Sequence, residues 1–385
     1  MYTPMNRKNS KDEILPRGIV INELPLTIKP SEVLNKINYG SIESCSITDG
    51  SATLIFFSYL DLYLTIKDIQ QNNSFTSYYV VSTPIKYNLR NAHLCGATRC
   101  VMISDSIGLL DQITSNSMLF GETDEVISEN GNVIVKFLEI KTALKFVKKY
   151  HSDVQYRNKI SFYPDPCSNK KYVQNSFLDS SFYVKNRTIY LGGIHSDISP
   201  EDIFNVVKGG DVLSLKLLRD KKCAFVDFIN YHSANVFLAY SLLNDCTINK
   251  KIESNNGINT IQYKLKVSRG IETTVPLITV LQCFAGATRA ILLSNNCETL
   301  TTKKLLEDFG KYGEIEMINF IKVKKIVFIN FMNINDSYNA FQHLKNDIEY
   351  KEKYRITFGR DRCSNETMDE LMRSVIKKKM DDSKT

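Results

Sequence analysis

The chain contains no tryptophan, no Cys-x-x-Cys pair and no apolar run approaching the ~20 residues that a bilayer span requires. Its nine cysteines and five histidines are scattered. Cys95 and Cys100 lie near each other but have no matching second pair, so the convergent spacing of a zinc site is missing. The pattern reads as reduced thiols in the cores of a cytosolic or nuclear protein. The opening residues, "MYTPMNRKNSKDE", lack the apolar stretch of a signal peptide, so a soluble, intracellular chain without a membrane partner is expected. There is no G-x-x-x-x-G-K-[ST] phosphate loop, no H-E-x-x-H and no G-x-S-x-G elbow. No catalytic residue, metal or cofactor is therefore expected.

What is present points to packed domains. At 385 residues the chain is long enough for roughly two to four of them. A composition of 43% hydrophobic and 24% charged residues builds cores, and 20 Tyr and 20 Phe supply rings for packing or stacking. The net charge of +7 is compatible with a nucleic-acid partner without requiring one.

Internal similarity organises the chain. "GATRCVMIS" begins at Gly96 and "GATRAILLS" at Gly286; downstream lie "ISFYPDPC", ending at Cys167, and "ITFGRDRC", ending at Cys363. Matched landmarks in one order imply units of about 70 to 80 residues. The third unit is the most legible. "RTIYLGGI" from Arg187 reads as a strand. "SPEDIFNVV" reads as a helix with Ser199 as N-cap and Pro200 at its first position. Gly209 and Gly210 end that helix, and "DVLSLKLL", a tight "RDKK" turn and "KKCAFVDF" give two more strands. "YHSANVFLAYSLL" is a second helix, and after a polar loop "YKLKVSR" closes the unit. Strand-helix-strand-strand-helix-strand is the split βαβ plan of a ferredoxin-like domain, with helices on one face of the sheet. The chain is thus read as α+β, with four βαββαβ domains at about 15–88, 96–167, 186–270 and 286–363, followed by a tail at 364–385.

One strand poses a chemical question. In "KKCAFVDF", Ala224, Val226 and Phe228 make a core face, which leaves Phe225 on the opposite face between Cys223 and Asp227. "IYLGGI" together with "KKCAFVDF", in this order, resembles the two RNP motifs of the RNA recognition motif (RRM) family; Lys221, Ala224, Phe225, Val226 and Phe228 match the longer motif, and Lys222 and Cys223 depart from it. Four degenerate copies, with "GATR" and "FGRDRC" as landmarks, also resemble fungal four-RRM regulators of the "negative regulator of differentiation" type. The resemblance implies a single-stranded RNA partner, messenger RNA in particular, and action after transcription. It also implies a cytoplasmic or nuclear setting, association with ribonucleoprotein granules, and ribonucleoprotein partner proteins.

On that resemblance the RNP aromatics stack splayed bases. Tyr190 and Phe225 are the expected platform, Lys221 pairs a phosphate, and Lys264 and Lys266 of the last strand share the open face. The fourth unit keeps Phe328, Lys324, Lys325 and Arg355, but Leu292 replaces the tyrosine and Ile326 fills the remaining aromatic slot. The second unit has Met102 and Ile134 at the aromatic positions and Tyr163 on its last strand. The first offers Val20 and Leu54, with Phe56 read as open-facing. These two units could dock protein instead, and a scaffold whose sheets bind peptides or each other is the competing reading. Single-stranded DNA is a lesser alternative, since stacking does not distinguish the sugars.

Three linking segments complete the reading. "TVPLITVLQCFAG" is expected to form a helix from Pro276 buried between the third and fourth domains. The short "KYNLRNAHLCGATR" suggests that the first two are likewise a rigid pair, with a hinge at "PDPCSNKKYVQNSFLDSSFYVKN" between the pairs. Met368, Leu371, Met372 and Val375 stand at helical spacing, and Lys377 to Lys379 read as a solvated helix end with only a weak nuclear-localisation signature.

Overall fold

The computed structural model describes residues 14–168, 186–254 and 257–365. The helix expected around Met368 and Lys377 and most of the expected hinge lie outside them. The chain divides into two compact units, each holding two domains.

The first unit contains β1 (Ile14–Ile21), α1 (Pro30–Leu34), β2 (Ile42–Thr48), β3 (Ser51–Phe56), α2 (Tyr59–Asn72) and β4 (Tyr78–Pro84). A linking helix α3 (Tyr87–Leu94) leads into β5 (Cys100–Ile103), α4 (Leu110–Met118), β6 (Thr123–Glu129), β7 (Asn132–Phe137), α5 (Ile140–Ser152) and β8 (Ile160–Tyr163). The second unit contains β9 (Thr188–Gly192), α6 (Pro200–Val206), β10 (Val212–Leu218), β11 (Cys223–Phe228), α7 (Tyr231–Asn244), β12 (Thr247–Ser254), β13 (Gly257–Lys264) and β14 (Lys266–Arg269). Then follow α8 (Leu277–Phe284), β15 (Ala290–Ser294), α9 (Thr302–Gly310), β16 (Ile315–Ile321), β17 (Ile326–Phe331), α10 (Ile334–Leu344), α11 (Ile348–Lys353) and β18 (Arg355–Phe358).

Each domain forms an antiparallel four-stranded sheet with its first strand and its third in the centre: β2-β3-β1-β4, β6-β7-β5-β8, β10-β11-β9-β14 and β16-β17-β15-β18. In the third domain Ile203, Phe204, Ala234 and Phe237 from the helices bury against Ile189, Leu191, Ala224, Val226 and Phe228 of the central strands. Helix α6 starts as its sequence requires. The Ser199 hydroxyl accepts from the Asp202 amide at 3.1 Å, and the Asp202 carboxylate accepts from the Ser199 amide at 2.9 Å.

Two expectations need correction. The polar loop before the last strand of the third domain is a hairpin, β12 against β13, because its chain alternates and pairs with itself from Thr247↔Lys264 to Ser254↔Gly257. In the first domain Leu54 and Phe56 are fully buried core residues; β1 pairs Val20 with Thr53 and Gly18 with Ile55, so Thr53 and Ile55 take the open face. A one-residue slip in register exchanges the two faces of a strand, and the sequence reading had made that slip. The helix expected after Pro276 forms, and it packs along α10 of the fourth domain.

A joint between domains is built twice, once in each unit. In the second unit the Leu215 amide of edge strand β10 donates to the Met332 carbonyl at 3.0 Å, and Met332 and Cys363 of the fourth domain enter the core of the third. In the first unit the Cys45 amide of β2 donates to the Leu138 carbonyl at 2.9 Å, and Leu138 and Cys167 enter the core of the first domain. The repeated landmarks explain themselves here. Arg99 of the first "GATR" makes a two-pronged pair with Asp165 at 2.7 and 3.0 Å. Arg289 of the second does the same with Asp361 at 2.9 and 2.7 Å. All nine cysteines are buried and outside any disulfide, and burial pushes the Cys45 and Cys167 thiols up to about 12.

Two further positions repeat in all four domains. An arginine within or just before each first strand donates to a carbonyl at or just past the end of the third: Arg17 to Phe56, Arg99 to Phe137, Arg187 to Ile229 and Arg289 to Phe331. In three of them the bulged residue of the second strand supplies an acid to that arginine, Glu43 at 2.6 Å, Asp124 at 3.7 Å and Glu316 at 2.8 Å. In the third domain Leu213 occupies the bulge.

Candidate functional site

The third domain's helix-free face can be built from its strand register, because directly opposed residues of antiparallel strands point to the same side. One row runs Lys216, Phe225, Tyr190, Ser268 across β10, β11, β9 and β14. The row on one side is Ser214, Asp227, Thr188; the row on the other is Leu218, Cys223, Gly192, Lys266. Tyr190 and Phe225 are both half-buried, with ring centroids 5.6 Å apart and planes inclined at 63°. A Cβ on Gly192 would come within 2.8 Å of the Tyr190 hydroxyl, so the bare backbone there gives the tyrosine ring its place along the strand. The two rings therefore stand side by side, as the sequence predicts.

The lysines divide. Lys221 is exposed in the tight turn that enters β11, and Lys266 is exposed at the start of β14, in the row beside the rings. Lys264 falls outside the sheet: it ends the hairpin strand β13, pairs in register with Thr247 and makes an ion pair with Asp245 at 2.8 Å. The sequence reading missed Lys216, which is exposed directly opposite Phe225. Alternation in "DVLSLKLL" puts Ser214, Lys216 and Leu218 on one face, and counting back from the turn would have found it.

In the fourth domain the same row reads Asn319, Phe328, Leu292, Thr357, so Phe328 does align with Phe225 and Leu292 with Tyr190. Arg355 is exposed in the next row, with Ile321, Ile326 and Ser294. Lys324 is exposed in the turn before β17, whereas Lys325 is tied to Glu298 at 2.8 Å, a hydrogen bond that raises its pKa. In both domains backbone flanks the phenylalanine: Cβ atoms on Gly270 and Gly359 would meet Phe225 and Phe328 at 3.3 and 2.9 Å.

The first two faces differ in chemistry. The first carries Ser46, Thr53, Val20, Tyr79 and Ser44, Ile55, Gly18, Val81 in adjacent rows, with no charge in either. Tyr79, on the outer strand, is 54% exposed and was not anticipated. The second carries Ile127, Ile134, Met102 and Ser161, with Tyr163 in the neighbouring row, where the ammonium of Lys136 is paired to Glu125 at 2.7 Å. Ile134 is only 2% exposed, and neither it nor Met102 opposite carries a ring. Among the described residues no group of three or more His, Cys, Asp or Glu is placed to hold a metal, and no helix is long and apolar enough to cross a membrane.

Four βαββαβ sheets of one strand order, with paired RNP-like strands at the centre of the third, define the class: the chain carries four domains of the RNA recognition motif fold. No protein-family model matches it. Over 91% of its length it is 26% identical to the RNA-binding protein MRN1 of Saccharomyces cerevisiae, and over 94% it is 25% identical to the meiotically up-regulated gene 24 protein of Schizosaccharomyces pombe. The chain spans 66% and 58% of the length of those two relatives. Among solved structures, the three N-terminal RNA-binding domains of the yeast splicing factor Prp24 align over 68% of this chain and 98% of that one, at 16% identity and a TM-score of 0.17.

Proposed function

We propose that the chain binds single-stranded RNA without catalysing a reaction, and that the third domain is its principal reader. The observation that carries this is the row Lys216, Phe225, Tyr190: two half-exposed rings beside an exposed ammonium on a helix-free sheet face. Bases stack on the rings, each stack contributing about 1–3 kcal/mol, while Lys216, Lys221 and Lys266 pair phosphates. Phe328, Arg355 and Lys324 of the fourth domain extend the contact. The names of two relatives, MRN1 and NAB6 of Saccharomyces cerevisiae, describe RNA-binding proteins, which supports the reading. Messenger RNA in the cytoplasm, regulated after transcription, is the substrate this reading favours. Replacing Tyr190 and Phe225 together by alanine is expected to weaken binding of a fluorescent single-stranded RNA at least tenfold while thermal unfolding is unchanged; equal anisotropy titrations would refute it.

A second reading applies to the first two domains alone. The uncharged rows around Val20 and Tyr79, and the neutralised Lys136, favour contact with protein over contact with phosphate.

A further inference from the structure

Stacking leaves the one acidic side chain in these rows of the third domain's face unused. Asp227 lies two residues beyond Phe225 on the same strand face, a separation of about 7 Å, within the footprint of a base lying on that ring. Its carboxylate is held by hydroxyls. Thr188 donates to Oδ1 at 2.5 Å and Ser214 to Oδ2 at 2.9 Å, and the Thr273 hydroxyl lies 3.5 Å from Oδ1. Thr188 is itself fixed, its amide donating to the Asn186 side-chain oxygen at 2.8 Å. The described residues give Asp227 no ion pair, so the hydroxyls orient a negative group without neutralising it. An ionised carboxylate has about four lone-pair sites and no donor. It can only accept, so phosphate is repelled from this row and a base edge must bring hydrogens to it.

We infer that Asp227 selects the base stacked on Phe225, favouring one that presents an exocyclic amino group (guanine, cytosine or adenine) over uracil. The inference rests on the third domain being an RNA reader. Uracil's one ring N–H is flanked by two carbonyl oxygens, which would face the carboxylate with like polarity. An amino group turns donors toward it, as carboxylates accept from the cytosine amino group in other nucleic-acid interfaces. Such a contact is worth about tenfold between right and wrong base.

The test is selection of a randomised eight-nucleotide RNA pool on the full chain, followed by sequencing, for the native protein, Asp227→Asn and Asp227→Ser. The expected result is a position at which amino-bearing bases exceed uracil about tenfold in the native protein. In both variants that preference should collapse to within about twofold, with total RNA retained, because the two rings remain. If the native protein retains RNA but admits uracil equally at every position, or the variants keep the preference, the inference is overturned and the stacking account survives. If the native protein retains no RNA, both fall.

Discussion

Arg289 and Asp361 face each other at the joint between the third and fourth domains, two nitrogens on two oxygens at 2.7 and 2.9 Å, and both are 1% exposed. Asp361 serves both domains, since its Oδ2 also accepts from the Val212 amide of β10 at 3.1 Å. The guanidinium lies over the Phe204 ring of the third domain at 3.7 Å and takes Glu316 as a second partner at 2.8 Å. Removing one member of a buried pair costs about 3–5 kcal/mol, because the remaining charge is left uncompensated. The fourth domain is thus fastened to the third by the same carboxylate that keeps Arg289 in its own core.

Asp361→Ala should therefore loosen the joint before it unfolds either domain. Amide hydrogen exchange at Val212 and Leu215, two of the backbone donors that cross from the third domain to the fourth, should accelerate, while Ile189 and Leu191 at the sheet centre keep their protection. Unchanged exchange at Val212 and Leu215 would mean that the joint does not depend on this carboxylate.

The same joint is expected to respond to pH. Burial, with the neighbouring Asp361 carboxylate, raises Asp211 from 3.8 to about 7, while Arg289 holds Asp361 below its usual value. A carboxyl whose folded pKa lies above its unfolded one contributes stability that is complete below the unfolded value and lost as pH rises through the folded one. The melting temperature of the second unit should consequently fall as pH rises from about 4 to about 7 and level off above that, the window lying between the unfolded value of 3.8 and the folded value near 7. Asp211→Asn should flatten that fall. A native protein whose melting temperature is level across this window would contradict the assignment.

Much of this architecture could be read from the chain, because it rests on local rules. Ser199 and Pro200 announce α6, and alternation in "KKCAFVDF" puts Phe225 outside and Val226 inside. The repeated "GATR" marked a repeated structure, but its purpose was hidden: Arg99 and Arg289 meet partners 66 and 72 residues away, and no period reports a contact of that range. Lys264 was misplaced because "YKLKVSR" alternates without a break, whereas its first part pairs within a hairpin and only its last part enters the sheet. Leu54 and Phe56 were misread for a related reason. Strand faces follow from register, and register in the first domain is set by pairing that the short "TDGS" turn does not declare on its own.

That difference between lysines gives a direct comparison. Lys216, exposed opposite Phe225, should lose several-fold in RNA affinity as Lys216→Ala and lower the slope of log affinity against log salt by about 1. Lys264→Ala should leave both nearly unchanged, because that ammonium stands off the sheet and is paired to Asp245. Anisotropy titrations at two or more salt concentrations distinguish the pair, and equal losses would count against the proposed phosphate path.

A final test concerns a glycine that recurs before the second strand of every domain. Ideal Cβ atoms at Gly40, Gly121, Gly210 and Gly313 would come within 2.8, 3.1, 2.2 and 2.0 Å of Asp61, Thr142, Ser233 and Asp336, the residue near the start of the helix that follows the third strand. At Gly313 the obstruction is a carboxylate that is itself engaged: Asp336 Oδ2 accepts from the Asn333 side-chain amide at 2.7 Å, and the Asp336 backbone amide donates to the Asn333 side-chain oxygen at 2.9 Å. Overpacking of this kind costs about 1–3 kcal/mol, so Gly313→Ala should lower the unfolding midpoint of the fourth domain. Asp336→Ala removes the obstructing oxygens and gives up their hydrogen bond, so alone it should destabilise. Combined with Gly313→Ala, it should recover most of the loss that the glycine substitution causes, a coupling that a double-mutant cycle in urea measures. Simple additivity of the two losses would mean that the glycine is needed for something other than this close approach.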